Sequence, residues 1–215
     1  MRSIIAAAFL LLILGSCSSV AVFNSPNDMR NMESTLYLVN GDTLHGTLEI
    51  NNNNFSGKNV KLHFGDDKRP MRFNKNEVKG YELRGDYYAL KQIKGQLKIG
   101  KEFSFMKRLT PEISKINLYE HLKKTDTDTK GSTSRYETEY FMEIPGDSDG
   151  VWEVDGSKFV PNFDKKMSKI VSDCPVLAQK IATKQAGYFY AQVTVFKEKR
   201  PEVLLNIIRE YNDCK

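Results

Sequence analysis

Thr35-Leu36-Tyr37-Leu38-Val39, Asn40-Gly41-Asp42, Thr43-Leu44-His45-Gly46-Thr47-Leu48-Glu49-Ile50 reads as two alternating runs around an Asn-Gly pair. Asn-Gly accepts the positive φ angles of a tight turn, so the stretch predicts an antiparallel hairpin. Leu44, Leu48 and Ile50 share one face at period 2. Gly46 leaves a gap in that face where another backbone has room to approach.

Further strands follow at short intervals. Val60, Leu62 and Phe64 alternate, and Gly65-Asp66-Asp67 turns the chain. Met71 with Phe73, Val78 to Leu83 and Tyr87 to Leu90 continue the pattern, as do Lys101 to Met106 and Ile116 to Leu122. Tyr136 to Ile144 and Val151 to Val154 flank another turn, Pro145 to Gly150. The spacing then changes. Met167, Ile170 and Val171 recur helically, Leu177 and Ile181 follow Pro175, and Val203, Leu204, Ile207, Ile208 and Tyr211 form the best amphipathic stripe. The fold class expected is α+β: an antiparallel β-sheet sandwich or small barrel followed by a C-terminal helical annex. Tyr188 to Phe196 fits neither period.

Upstream of the hairpin, Met1 and Arg2 precede an apolar run, Ile4 to Leu14. A membrane span needs about 20 apolar residues, so this shorter run reads as a secretory signal peptide. Its end, Leu14-Gly15-Ser16-Cys17, resembles a bacterial lipobox. That resemblance implies cleavage before Cys17, diacylglycerol on its sulfur and an acylated amine. Four regions follow: a signal peptide over 1–17, a tether over 18–32, an antiparallel β-domain over 33–158 and a helical annex over 159–215. Ser18 rather than Asp after the cysteine favours the outer membrane, and no acidic patch follows to mark surface export. The periplasm-facing leaflet is the expected location.

Charge is nearly balanced, with 32 Lys and Arg against 27 Asp and Glu. The excess is interleaved and gives no basic stripe, so nucleic acid is not an expected partner. The densest basic run, Lys91 to Arg108, reads as a solvated strand face. Cys17 takes the lipid, which leaves Cys174 and Cys214 as an even pair in an oxidising compartment. A disulfide between them closes a loop of about 40 residues and contributes about 3–4 kcal/mol. The alternative, a nucleophilic cysteine, lacks a local catalytic signature.

Several patterns suggest chemistry. Asp126, Asp128, Gly131 and Glu137 match a calcium loop at positions one, three, six and twelve. Lys130 occupies the fifth position and the flanks read as strands, so the loop is a weak metal candidate and no metal or cofactor is expected. Asp147 and Asp149 read as turn acids, and Arg84-Gly85-Asp86 as a turn. His45, His63 and His121 are dispersed, each in a strand pattern. Tyr87, Tyr88, Tyr136, Tyr140, Phe141 and Trp152 are candidates for lining a glycan or peptide groove, with Tyr87, Tyr88, Tyr140 and Trp152 foremost. No nucleophile elbow, zinc motif or phosphate loop is present, and an enzyme is not the expected reading.

The Gly41-Asp42-Thr43 turn, Phe163…Asp173-Cys174-Pro175…Leu177 and the terminal Ile208…Tyr211-Asn212…Cys214 together resemble a family of uncharacterised Bacteroidota envelope lipoproteins. The resemblance implies a β-rich front and a helical tail, and brings no activity or catalytic residues. The expectation is a lipid-anchored envelope protein acting as a binding or assembly module, with the membrane and an envelope protein or glycan as partners. The alternative is a hydrolase of envelope polysaccharide or peptidoglycan.

Overall fold

The computed structural model of the protein describes residues 20–51, 60–65, 69–95, 102–126, 134–147, 150–191 and 199–214. Eleven strands run in chain order. They are β1 (Val22–Ser25), β2 (Asp28–Leu38), β3 (Thr43–Ile50), β4 (Val60–His63), β5 (Met71–Phe73), β6 (Val78–Leu83), β7 (Asp86–Lys94), β8 (Glu102–Arg108), β9 (Asn117–Asp126), β10 (Ser134–Glu143) and β11 (Val151–Glu153). Three helices follow: α1 (Phe163–Ile170), α2 (Pro175–Ala182) and α3 (Lys199–Asp213). Among the described residues no helix is long and apolar enough to cross a membrane.

The hairpin forms with Leu36 opposite Leu44 and Tyr37 opposite Thr43. Of the Asn-Gly pair only Gly41 has a positive φ, 96°, while the Asn40 side-chain oxygen accepts from the Asp42 N–H at 3.1 Å. The gap at Gly46 is filled by the neighbouring strand. A Cβ there would lie 2.4 Å from the His63 carbonyl oxygen, so β4 could not pack so close to any other residue.

The sheet follows the order β11-β10-β9-β8-β7-β6-β2-β3-β4-β5, with β1 beside β2. A parallel pairing of β11 with β7 closes β7 to β11 into a five-strand barrel. The other strands make an open wing. Strand β7 is the branch point: Asp86 to Ala89 pair with β6, and Ile93 and Lys94 pair with β11 on the same side. Of the two expected architectures, the closed half is the barrel.

Side chains sort by period 2 into three packed regions. The wing buries Met29, Leu36, Leu48, Ile50, Leu62 and Tyr81 with Phe105 of β8. The barrel encloses Ala89, Ile93, Met106, Tyr119, Phe141 and Val151. Leu118 and Met142, on the opposite face of β9 and β10, meet Phe163, Met167, Leu177, Leu204 and Ile207 of the helices. The stripe on α3 is buried as its spacing predicts, each large apolar side chain contributing about 1.5–3 kcal/mol. Pro175 opens α2. Tyr190 leaves the helical pattern to pack on Phe163, with ring centroids 4.3 Å apart, and Gln192 to Phe196 lie outside the described residues.

The tether expected over 18–32 is corrected by these strands. β1 starts at Val22, and Met29 and Met32 are core residues. A bulge between them, with Asn31 at φ 54°, turns both methionines inward despite their spacing of three. That irregularity erases the alternation on which a sequence reading depends. The polar residues form turn and bulge contacts: Asn31 Nδ2 donates to the Val20 carbonyl at 3.2 Å, and the Asn27 N–H donates to Ser25 Oγ at 3.3 Å. The β-domain therefore begins at Val22, not at residue 33.

Candidate functional site

The barrel interior is partly polar. On β9, Tyr119, His121 and Lys123 share the inward face; on β10, Glu139, Phe141 and Glu143 do. At one mouth Lys91 Nζ lies 2.6 Å from Glu143 Oε1, and the Tyr119 hydroxyl donates to Glu143 Oε2 at 2.8 Å. Asn117 Nδ2 adds a longer bond at 3.3 Å. Burial alone would raise the Glu143 pKa, but the bonds from Lys91, Tyr119 and Asn117 outweigh it and hold the carboxyl below its usual range. Burial, reinforced by that carboxylate, pushes the Tyr119 hydroxyl far up.

At the other mouth a chain of polar groups runs from strand to strand. Ser104 Oγ lies 2.9 Å from His121 Nε2, His121 Nδ1 lies 3.5 Å from Glu139 Oε2, and Lys123 Nζ lies 2.8 Å from Glu139 Oε1. The His121 and Lys123 donors hold the Glu139 carboxyl down against the opposing effect of burial. A carboxylate on Nδ1 calls for a proton there, so in neutral His121 the Nε2 atom accepts from Ser104. The order serine, histidine, carboxylate is that of an acyl-transfer triad. Ser104, however, is only 6% exposed. A carbonyl substrate would have to displace packed side chains to reach its hydroxyl, and as it stands the chain satisfies buried polar groups.

Beside this mouth β10 runs on past the end of β11. Strand β11 pairs with β10 only at Phe141 and Met142, and Val154 N–H donates to the Tyr140 carbonyl at 2.9 Å. Antiparallel backbone groups alternate in direction, so those of Thr138 and Tyr136 point the same way as Tyr140, away from β9. Among the described residues no strand pairs with them there. A groove of about 520 Å³ follows this edge, bounded by Arg135 to Tyr140, by Glu153 to Asp155 and by Arg200 at the start of α3. It carries the carboxylates of Glu137, Glu139, Glu153 and Asp155 against the guanidinium groups of Arg135 and Arg200. Arg200 is ion-paired with Asp155, and the exposed ring of Tyr136 stands at the rim.

The six aromatic candidates do not form one groove. Tyr87 and Tyr88 are neighbours on β7 and face opposite ways. Tyr88 is buried in the wing and stacks on Tyr81 at 4.9 Å. Tyr87 lies under the Arg108 guanidinium at 4.6 Å and against the edge of Tyr37. The Trp152 ring is occupied by Lys158 at 4.8 Å and Lys94 at 5.9 Å, and its N–H donates to Asp147 at 2.8 Å. Phe141 is in the barrel core, and of the candidates only Tyr136 and Tyr140 reach the groove.

The disulfide is present: Cys174 and Cys214 are bonded. Cys17 lies outside the described residues, as do Asp128 and Asp149. For the calcium candidate, Asp126 opposes Ser134 while Glu137 opposes Lys123, three rungs away. The β9–β10 ladder thus carries Glu137 away from the loop. Among the described residues no three His, Cys, Asp or Glu side chains converge as metal ligands would. Asp147 is a turn acid with structural partners, accepting from Lys94 at 3.0 Å and Lys158 at 3.2 Å as well as from Trp152.

The described lysines of the basic run are ion-paired and half-buried rather than a solvated face. Lys91 pairs with Glu143, Lys94 with Asp147 and Lys107 with Asp86. Lys98 and Lys101 lie outside the described residues. Ser104, the His121–Glu139 pair and the β10 edge were not legible as a site. The available signal was the alternation of charged with aromatic residues in Tyr119-x-His121-x-Lys123 and Glu139-x-Phe141-x-Glu143, which places charges on a barrel's inward face. Compared with protein-family models, curated proteins and solved structures, the chain matches none.

Proposed function

We propose that this chain is a lipid-anchored cell-envelope protein of the periplasm-facing outer-membrane leaflet and works as a binding or assembly module. Its site is the groove along β10, and its partner is an extended, basic segment of another envelope protein. The observation that carries the reading is the strand edge at Tyr136 and Thr138, unpaired among the described residues and set in a groove with four carboxylates and two guanidinium groups. An extended segment adds to such an edge through main-chain hydrogen bonds, and side-chain pockets then select its sequence. With Lys123 on Glu139 counted, the site still carries one more carboxylate than Lys and Arg side chains, which favours a basic side chain in the occupant. Leu14-Gly15-Ser16-Cys17 supplies the anchor and location, and the resemblance to Bacteroidota envelope lipoproteins points the same way.

The test is photo-crosslinking in living cells, with a benzophenone residue replacing Tyr136 and, as control, Ile113, an exposed loop position. The reading expects one envelope protein captured from position 136 and not from 113. Equal capture from both positions, or none from either, contradicts it. The hydrolase alternative has one observation in its favour, the Ser104–His121–Glu139 order. Its test is whether a fluorophosphonate probe labels Ser104; labelling would overturn the module reading.

A further inference from the structure

The distance between Cys17 and the folded body is short. Asn31 ties the Val20 carbonyl to the bulge of β2, and β1 begins two residues later. Only Ser18 and Ser19 separate Cys17 from Val20. Three residues of extended chain span at most about 11 Å. One headgroup layer of a bilayer is about 5–8 Å deep. If Cys17 carries its lipids, Val20 lies inside that layer or at its outer boundary, and the body follows at once.

The residues that arrive there suit the position. Val20 is 77% exposed, Val22 38% and Phe23 36%, three exposed large apolar side chains within four residues. Val22 and Phe23 project from opposite faces of the ribbon, and exposed Arg30 stands across from Val22. Phe23 is braced from behind by Tyr88, with centroids 6.4 Å apart. Apolar side chains with a basic neighbour are what the boundary between headgroups and acyl chains accepts.

We propose that the β1 ribbon is a membrane-contact edge: Val20, Val22 and Phe23 lie in the headgroup layer of the bilayer that holds the Cys17 lipids, and fix the body's orientation against it. The inference rests on the lipid-anchor reading. It adds that the body does not swing on a leash, so the β10 groove faces a constant direction relative to the membrane.

The test uses the full lipidated protein in vesicles of phosphatidylethanolamine and phosphatidylglycerol, with a nitroxide on Val22→Cys or on Val39→Cys. Val39 is exposed at the far end of β2, about 25–30 Å along the strand. Mass spectrometry of the N-terminal peptide is read first. With lipids on Cys17, the label at 22 should collide several-fold less often with a water-soluble nickel complex than the label at 39. Equal collision rates on a lipidated protein overturn the contact edge and leave the anchor standing. An N-terminal peptide without lipid overturns both.

Discussion

The side-chain amide of Asn27 pairs with the main chain of Phe105, 78 residues away, as a strand would: Phe105 N–H donates to Asn27 Oδ1 at 2.7 Å and Asn27 Nδ2 donates to the Phe105 carbonyl at 3.1 Å. Asn27 sits in the turn between β1 and β2 and is buried. Phe105 belongs to the barrel strand β8, whose pairing with β9 is limited to Lys107 and Arg108. One side chain thus satisfies two main-chain groups on the partly open edge of β8 and fastens the wing to the barrel. Tyr81 adds a second tie, its hydroxyl donating to the Pro26 carbonyl at 2.8 Å.

Asn27→Ala should therefore destabilise the fold by about 2–4 kcal/mol, since a buried main-chain group without a partner costs about 1–3 kcal/mol. Asn27→Asp should also destabilise, because a carboxylate cannot donate to the Phe105 carbonyl. Urea unfolding followed by circular dichroism checks both, and midpoints equal to wild type would show the clamp carries no energy.

Removing the disulfide by Cys174→Ser with Cys214→Ser should lower stability by about 4 kcal/mol in the chain-entropy model, for a 40-residue separation. Cys174 is buried beneath the helices. Alkylation of the native protein without reductant should therefore miss both cysteines. The Tyr211 hydroxyl bonds Asp173 beside the bridge at 2.7 Å, and burial, with that carboxylate, pushes it up to about 12.

The fold class was legible because most strands obey period 2 and α3 obeys the helical period. Leu36, Leu48 and Ile50, or Leu204, Ile207 and Ile208, announce their burial by spacing alone. Met29 and Met32 do not, because the bulge at Asn31 breaks the count. Closure of the barrel was not legible either, since the β7–β11 seam consists of Val151 opposite Ile93 and Trp152 opposite Lys94, with no signature in either strand. The aromatic candidates misled for a related reason. Composition shows that Tyr88 and Trp152 are large and amphipathic, but not that Tyr81 and two lysines already occupy their faces.

Acid should weaken the fold through Glu139 and Glu143, both held below the usual carboxyl value near 4.5. A carboxyl depressed in the folded state stabilises above its unfolded pKa, and that stability is lost as pH falls through the folded value. Unfolding midpoints should drop between about pH 5 and pH 3, and Glu143→Gln should flatten part of the drop. An unchanged profile in that variant would mean the Lys91–Glu143–Tyr119 cluster carries no pH-dependent stability.

Ser104→Ala should leave His121 Nε2 without its partner and cost about 1–3 kcal/mol. The check is thermal unfolding alongside fluorophosphonate labelling. The module reading expects a lower midpoint in the variant and no labelling of the wild-type protein.

The proposed docking edge of β10 is tested most directly by amide hydrogen exchange, residue by residue, in the isolated protein. Arg135, Glu137 and Glu139 stand opposite Thr125, Lys123 and His121 in the β9 ladder, so their amides should exchange slowly. Tyr136 and Thr138 should exchange quickly, giving an alternating pattern along one strand. Protection at Tyr136 and Thr138 equal to that of their neighbours would mean the edge is already covered, and the proposed docking site would not exist.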